Sequence, residues 1–179
     1  MAITASDILF KLSVTSGSAG NSTSGTVAGS LGKYISTTQI TDNSLDNLIA
    51  SFSGTENANS TVKYKCFFIH NAHATLTAQS VVAYLSAEAS GGASAAIGVD
   101  TTAASAIGSA SSQALTIADE NTAPAGVSFS SPTTAGTGIS VGNIAAGSCR
   151  AVWVRATAAN TSAKDSDGVT ISVQLDTAA

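Results

Sequence analysis

The feature that most constrains this chain is the spacing of its large apolar residues. They fall in short runs with a period of two, and nearly everything between the runs is small. Gly168–Asp176 is the clearest case: Val169, Ile171, Val173 and Leu175 alternate with Thr170, Ser172 and Gln174. Successive side chains of an extended chain point to opposite faces, so such a run buries one face and exposes the other. Asp7–Val14 repeats the pattern, with Ile8, Phe10, Leu12 and Val14 set against Asp7, Leu9, Lys11 and Ser13. Further strand-like runs are Thr61–Asn71, Ala74–Ala87, Ala95–Val99, Ala114–Ile117, Gly138–Val141 and Ser148–Thr157. The short joint His70-Asn-Ala-His73 predicts a hairpin between the runs that flank it. Helical spacing occurs in Asn43–Phe52, where Leu45, Leu48, Ile49 and Phe52 fall at i, i+3, i+4 and i+7. Thr41, Asp42, Asn43 or Ser44 can cap that helix and Gly54 can end it. Many short strands with one short helix predict an all-β antiparallel sandwich, jelly-roll-like, or immunoglobulin-like as second choice.

A single domain over residues 1–179 is the expectation at this length. Its surface cannot be built in the usual way. Ala, Ser, Thr and Gly make up 99 of the 179 residues, while charged residues are 10%, against roughly 25% in ordinary soluble domains. The mean hydropathy of +0.27 excludes a charged disordered chain. With a net charge of −4 there is no basic surplus to neutralise phosphates, so a nucleic-acid partner is not expected. No apolar run approaches the roughly 20 residues of a membrane span. The opening residues lack a basic segment followed by a long apolar one, so synthesis in the cytoplasm is expected. Thr15–Ser30 holds almost only small and polar residues and predicts a flexible loop or arm.

Candidate chemistry is sparse. Gly138-Ile-Ser140-Val-Gly142 matches the G-x-S-x-G nucleophile elbow, but no helix follows it, and both histidines precede the serine. Ser140 therefore reads as a strand residue with a surface hydroxyl. His70 and His73 are three apart in a turn, without a third ligand nearby, and read as polar turn residues rather than a metal site. Asp165-Ser-Asp167-Gly168 begins like a calcium loop, but the twelfth position is Asp176 at the end of a strand, so a hairpin turn is the simpler reading. Gly29-Ser-Leu-Gly32-Lys33 fails as a phosphate loop because Val27 and Tyr34 stand where a glycine and a Ser or Thr are required. Asp119 and Glu120 are adjacent and read as solvated loop charges. The formal glycosylation sequons at Asn21, Asn59 and Asn160 mean nothing without a secretory route. No catalytic residue, cofactor or metal is expected.

Cys66 and Cys149 each sit inside a strand-like run and outside any C-x-x-C pair. Two readings stay open: buried, reduced thiols that fill a core, or a disulfide closing a long loop. In Ser148–Thr157, Trp153 and Arg155 share a face with Cys149 and Ala151, and Val152 and Val154 point the other way. Val152 and Val154 are expected inward, with Trp153 covered by a loop or a neighbouring subunit.

One resemblance runs through the strand-rich part. Leu45-Asp-Asn-Leu48, Gly54-Thr-Glu-Asn57, Val62-Lys-Tyr-Lys-Cys66-Phe-Phe-Ile-His70-Asn71 and Ala74-Thr-Leu-Thr77 carry it. It continues through Ala96-Ile-Gly-Val-Asp100, Glu120-Asn-Thr-Ala-Pro124-Ala-Gly126-Val-Ser-Phe129, Ala151-Val-Trp153-Val-Arg155 and Asp167-Gly168. Over roughly residues 40–176 the chain resembles tailed-bacteriophage virion structural proteins. The resemblance implies a non-enzymatic particle component, most simply a capsid decoration or cement protein on the outer head surface. It implies the major capsid protein or other virion proteins as partners and a homo-oligomer, with a trimer favoured; the charge balance and the short apolar runs add the expectation of no nucleic-acid and no membrane partner. Thr15–Ser30 and Gly91–Ser112 are then the expected contact elements. A tail, baseplate or fibre component is the alternative, and a carbohydrate-binding sandwich a third.

Overall fold

A computed structural model describes residues 2–17 and 22–177. The described strands are β1 (Ile8–Val14), β2 (Tyr34–Gln39), β3 (Val62–Asn71), β4 (Ala78–Glu88), β5 (Ser94–Val99), β6 (Ser105–Ala106), β7 (Ile139–Ile144), β8 (Ser148–Thr157) and β9 (Val169–Thr177), with one α-helix, α1 (Gly54–Ala58). They build an all-β sandwich of two antiparallel sheets. The larger has the order β2-β1-β3-β8-β5, with β6 also paired to β8, and the smaller the order β7-β4-β9. The run at Ala114–Ile117 makes one isolated bridge, Gly32 with Thr116, instead of a strand.

Strand β3 explains much of this arrangement. Its centre, Cys66-Phe-Phe-Ile69, is a continuous apolar run, the signature of a strand buried on both faces. Phe67 and Ile69 enter the core between the sheets with Leu12, Val81, Leu85, Ile97, Val152 and Val154. Cys66 and Phe68 enter a second core on the outer side of the larger sheet, with Ile35, Ala114, Ile117, Ala151 and Trp153. The inward placing of Val152 and Val154 is as expected, and Trp153 is fully covered by loops of its own chain.

The predicted hairpin does not form. β3 pairs with β1 on one side and β8 on the other, so both its hydrogen-bonding edges are occupied, and β4 goes to the opposite sheet. The connection is held by side chains. Asn71 donates to the carbonyls of Leu76 and Ile144 and accepts from the His73 N–H. His73 Nδ1 accepts from the N–H groups of Thr75 and Leu76.

The predicted helix over Asn43–Phe52 is also absent; this stretch is a series of turns. Asn43 and Asp46 both have φ of 54°, the left-handed region that ends a helix. The Asp46 carboxylate accepts from the Ser51 N–H and hydroxyl, a local bond that competes with helix formation. The apolar set consequently splits: Leu48 is buried, whereas Leu45 is 74% exposed. The helix starts instead at Gly54, the residue expected to end it. Ser53 and Glu56 form a reciprocal capping box there. The Ser53 N–H, then Lys63, hold the Glu56 carboxyl down at about 2.

Candidate functional site

The residues singled out in the sequence do not converge. Ser140 lies exposed on β7, in register with Val82. His70 is buried on β3 opposite Cys149, and burial, then the nearby Lys11 charge, lowers its pKa. His73 works in the β3–β4 connection. The Asp167 carboxylate accepts from the Ala93 N–H at 2.6 Å, tying the β8–β9 loop to the β4–β5 turn. Among the described residues no three His, Cys, Asp or Glu side chains gather as a metal site. Gly32, in the failed phosphate loop, has a packing role: at φ 96° a Cβ there would overlap the Leu115 carbonyl. Asn21 lies outside the described residues.

Cys66 and Cys149 are both free and buried. The disulfide alternative is corrected by register: Cys66 faces Trp153 on β8, and Cys149 faces His70 on β3. That offset of four positions is about 14 Å at ~3.4 Å per residue, about twice the Cα separation a disulfide tolerates. Burial pushes the Cys66 thiol well up, and the Cys149 thiol to about 12. Both thiols should therefore be unreactive in the native protein. Ellman's reagent at pH 8 should titrate neither in native buffer and both after denaturation without reductant; a denatured chain that still titrates none would restore the disulfide.

Two charged arrangements that the sequence did not reveal hold the loops. Asp100, 1% exposed, follows β5. Its carboxylate accepts from the N–H groups of Thr102 and Leu115 at 2.7 and 3.0 Å, and from Trp153 Nε1 at 2.6 Å. It thereby pins the loop over the outer core. Glu120, read as a solvated charge, instead lies 2.9 Å from Lys65 Nζ and 3.6 Å from Lys63 Nζ. Lys63 also meets Glu56 at 3.0 Å and the carbonyls of Ala50 and Ser51. These lysines could not be recognised as buried from sequence, because their carboxylate partners, Glu56 across a turn and Glu120 far along the chain, meet them only in the folded protein.

Among the described residues a groove of about 1750 Å³ lies between the sheets. Val169, Ile171, Val173 and Leu175 of β9 line one wall. Ile3, Ile8, Phe10 and Phe67 line the other, and the turns around Leu48, Ile49 and Phe52 close its side. Its apolar lining is only partly covered: the four β9 residues, Ile8 and Phe10 are all intermediate in burial. The cause is the unequal width of the sheets, since three strands cannot cover a path of five. The charged residues at the groove are Asp42, Asp46, Asp165 and Asp167 against Lys164 alone, all exposed. Such a surface can bind by contact and shape. It assembles no acid–base pair.

Comparison of the chain with protein-family models, curated proteins and solved structures finds no match.

Proposed function

We propose that the protein is a structural component of a tailed-bacteriophage particle, a capsid decoration or cement protein bound to the outer head surface. It is made in the host cytoplasm and incorporated into the virion, and it acts by contact rather than catalysis. Its partners are the major capsid protein or other virion proteins, and copies of itself, with a trimer favoured. The sequence resemblance over residues 40–176 supplies the setting. The observation that carries the mode of action is the concavity itself: a half-covered apolar groove, with the candidate nucleophile, histidines and carboxylate pairs scattered away from one another. With only 10% charged residues in the whole chain, docking costs little desolvation of charge.

The carbohydrate-binding alternative is disfavoured because none of the nine aromatic side chains is exposed for stacking on a sugar. The tail, baseplate or fibre alternative is separated by stoichiometry. Purified protein mixed with expanded heads that lack it should co-sediment saturably at hundreds of copies per head. A handful of copies on intact virions would move it to the baseplate or fibre, and absence from purified virions would overturn the reading.

A further inference from the structure

The free edge of β9 and the groove beneath it form one continuous feature. β9 is the last strand of the smaller sheet, and among the described residues no strand pairs with its outer edge. Edge strands are normally blunted by proline, lysine, bulges or shortness. The other edge of this sheet, β7, is blunted in this way: it has six residues, shifted register against β4, and Gly142 at φ 83°. β9 runs nine residues with no Pro, Lys or Arg. The irregularities of its ladder lie on β4, where the four residues from Gln79 to Val82 match three from Asp176 to Gln174. β9 thus presents an even row of backbone donors and acceptors, beside a groove that lacks a strand to cover Ile8 and Phe10.

We propose that β9 accepts an extended segment of a partner protein as a fourth strand, with apolar side chains at alternate positions entering the groove and Lys or Arg at its ends meeting the aspartates. Strand addition supplies main-chain hydrogen bonds for affinity and alternate side chains for specificity. A strand added at the usual ~4.8 Å spacing extends the smaller sheet over the inner face of β1, at the ~10 Å separation of stacked sheets. Charge selects the occupant. Four aspartates and one lysine border the groove, so a basic segment is attracted. A second copy of this chain, paired β9 to β9, would set two acidic borders against each other. This inference concerns the groove alone and stands whether or not the partner belongs to a phage particle.

The test uses the whole protein and synthetic nine-residue peptides of alternating valine and threonine, one with a lysine at each end and one with a glutamate at each end. The lysine-ended peptide should slow amide exchange in residues 169–177 at least tenfold, leave β7 unchanged, and shift the resonances of Ile8 and Phe10. The glutamate-ended peptide should bind at least tenfold more weakly, and the difference should shrink in 0.5 M salt. Asp165→Asn should weaken only the lysine-ended peptide. No protection of β9, or equal binding of both peptides, overturns the proposal. Protection of β9 that rises with protein concentration without peptide also overturns it, and identifies a second copy as the occupant. Because no phage component enters this experiment, its failure leaves the head-binding measurement to decide the proposed function separately.

Discussion

Trp153→Ala should lower the unfolding free energy by about 3–5 kcal/mol, the range for removing a fully buried large aromatic side chain. Trp153 is 0% exposed and sits at the centre of the outer core, between Cys66 of β3 and Gly98 of β5. Its loss opens a cavity and removes one of the three N–H groups held by the buried Asp100 carboxylate. Trp153→Phe separates these contributions. It keeps most of the ring packing but drops the indole N–H, and should cost about 1–3 kcal/mol. Because Trp153 is the only tryptophan, the series is followed by far-UV circular dichroism in urea rather than by fluorescence. A cost below 1 kcal/mol for Trp153→Ala would mean that the loop over residues 100–130 does not bury it.

Glu120→Ala should cost about 3 kcal/mol, and Glu56→Ala less. Breaking a buried ion pair from one side costs roughly 3–5 kcal/mol because a charge is left uncompensated. The lower end applies because Glu120 is 30% exposed, while the side chains of Lys63 and Lys65 are only 3% and 2% exposed. Without Glu120, Lys65 Nζ keeps the Ala28 carbonyl at 3.2 Å, a neutral partner. Without Glu56, Lys63 retains Glu120. The double variant Glu120→Ala with Lys65→Met should recover most of the loss, since an apolar replacement for a buried pair is often neutral. Urea midpoints for the two single variants and the double variant decide this. Equal costs at Glu56 and Glu120, or no recovery in the double variant, would contradict the central place given to Glu120.

The strands were legible wherever their apolar pattern was strong. Ser148–Thr157 matches β8 residue for residue, β1 and β5 differ from the expected runs by one residue at the N-terminal end, and β9 by one at each end. β2 escaped because Tyr34–Gln39 holds a single buried large apolar residue, Ile35. The helix was misplaced because apolar spacing at Leu45, Leu48, Ile49 and Phe52 says nothing about backbone dihedrals. The side-chain bonds of Asp46 settle those dihedrals locally. Of the groove, the apolar faces of β9 and β1 were visible in sequence as alternating runs, but that they face each other across an open space was not.

The sequence by itself determined that this chain is built of sheets and which face of most strands turns inward, because a period of two is a local property of extended backbone. Tertiary structure alone decided the partners. β3 joins β8, more than eighty residues on, rather than β4 directly after it, because both edges and both faces of β3 are satisfied at long range. The same long-range satisfaction buries Lys65 and Asp100, covers Trp153, and leaves a sheet of three strands against a path of five. The groove beside β9 follows from that inequality in width, which no local pattern encodes.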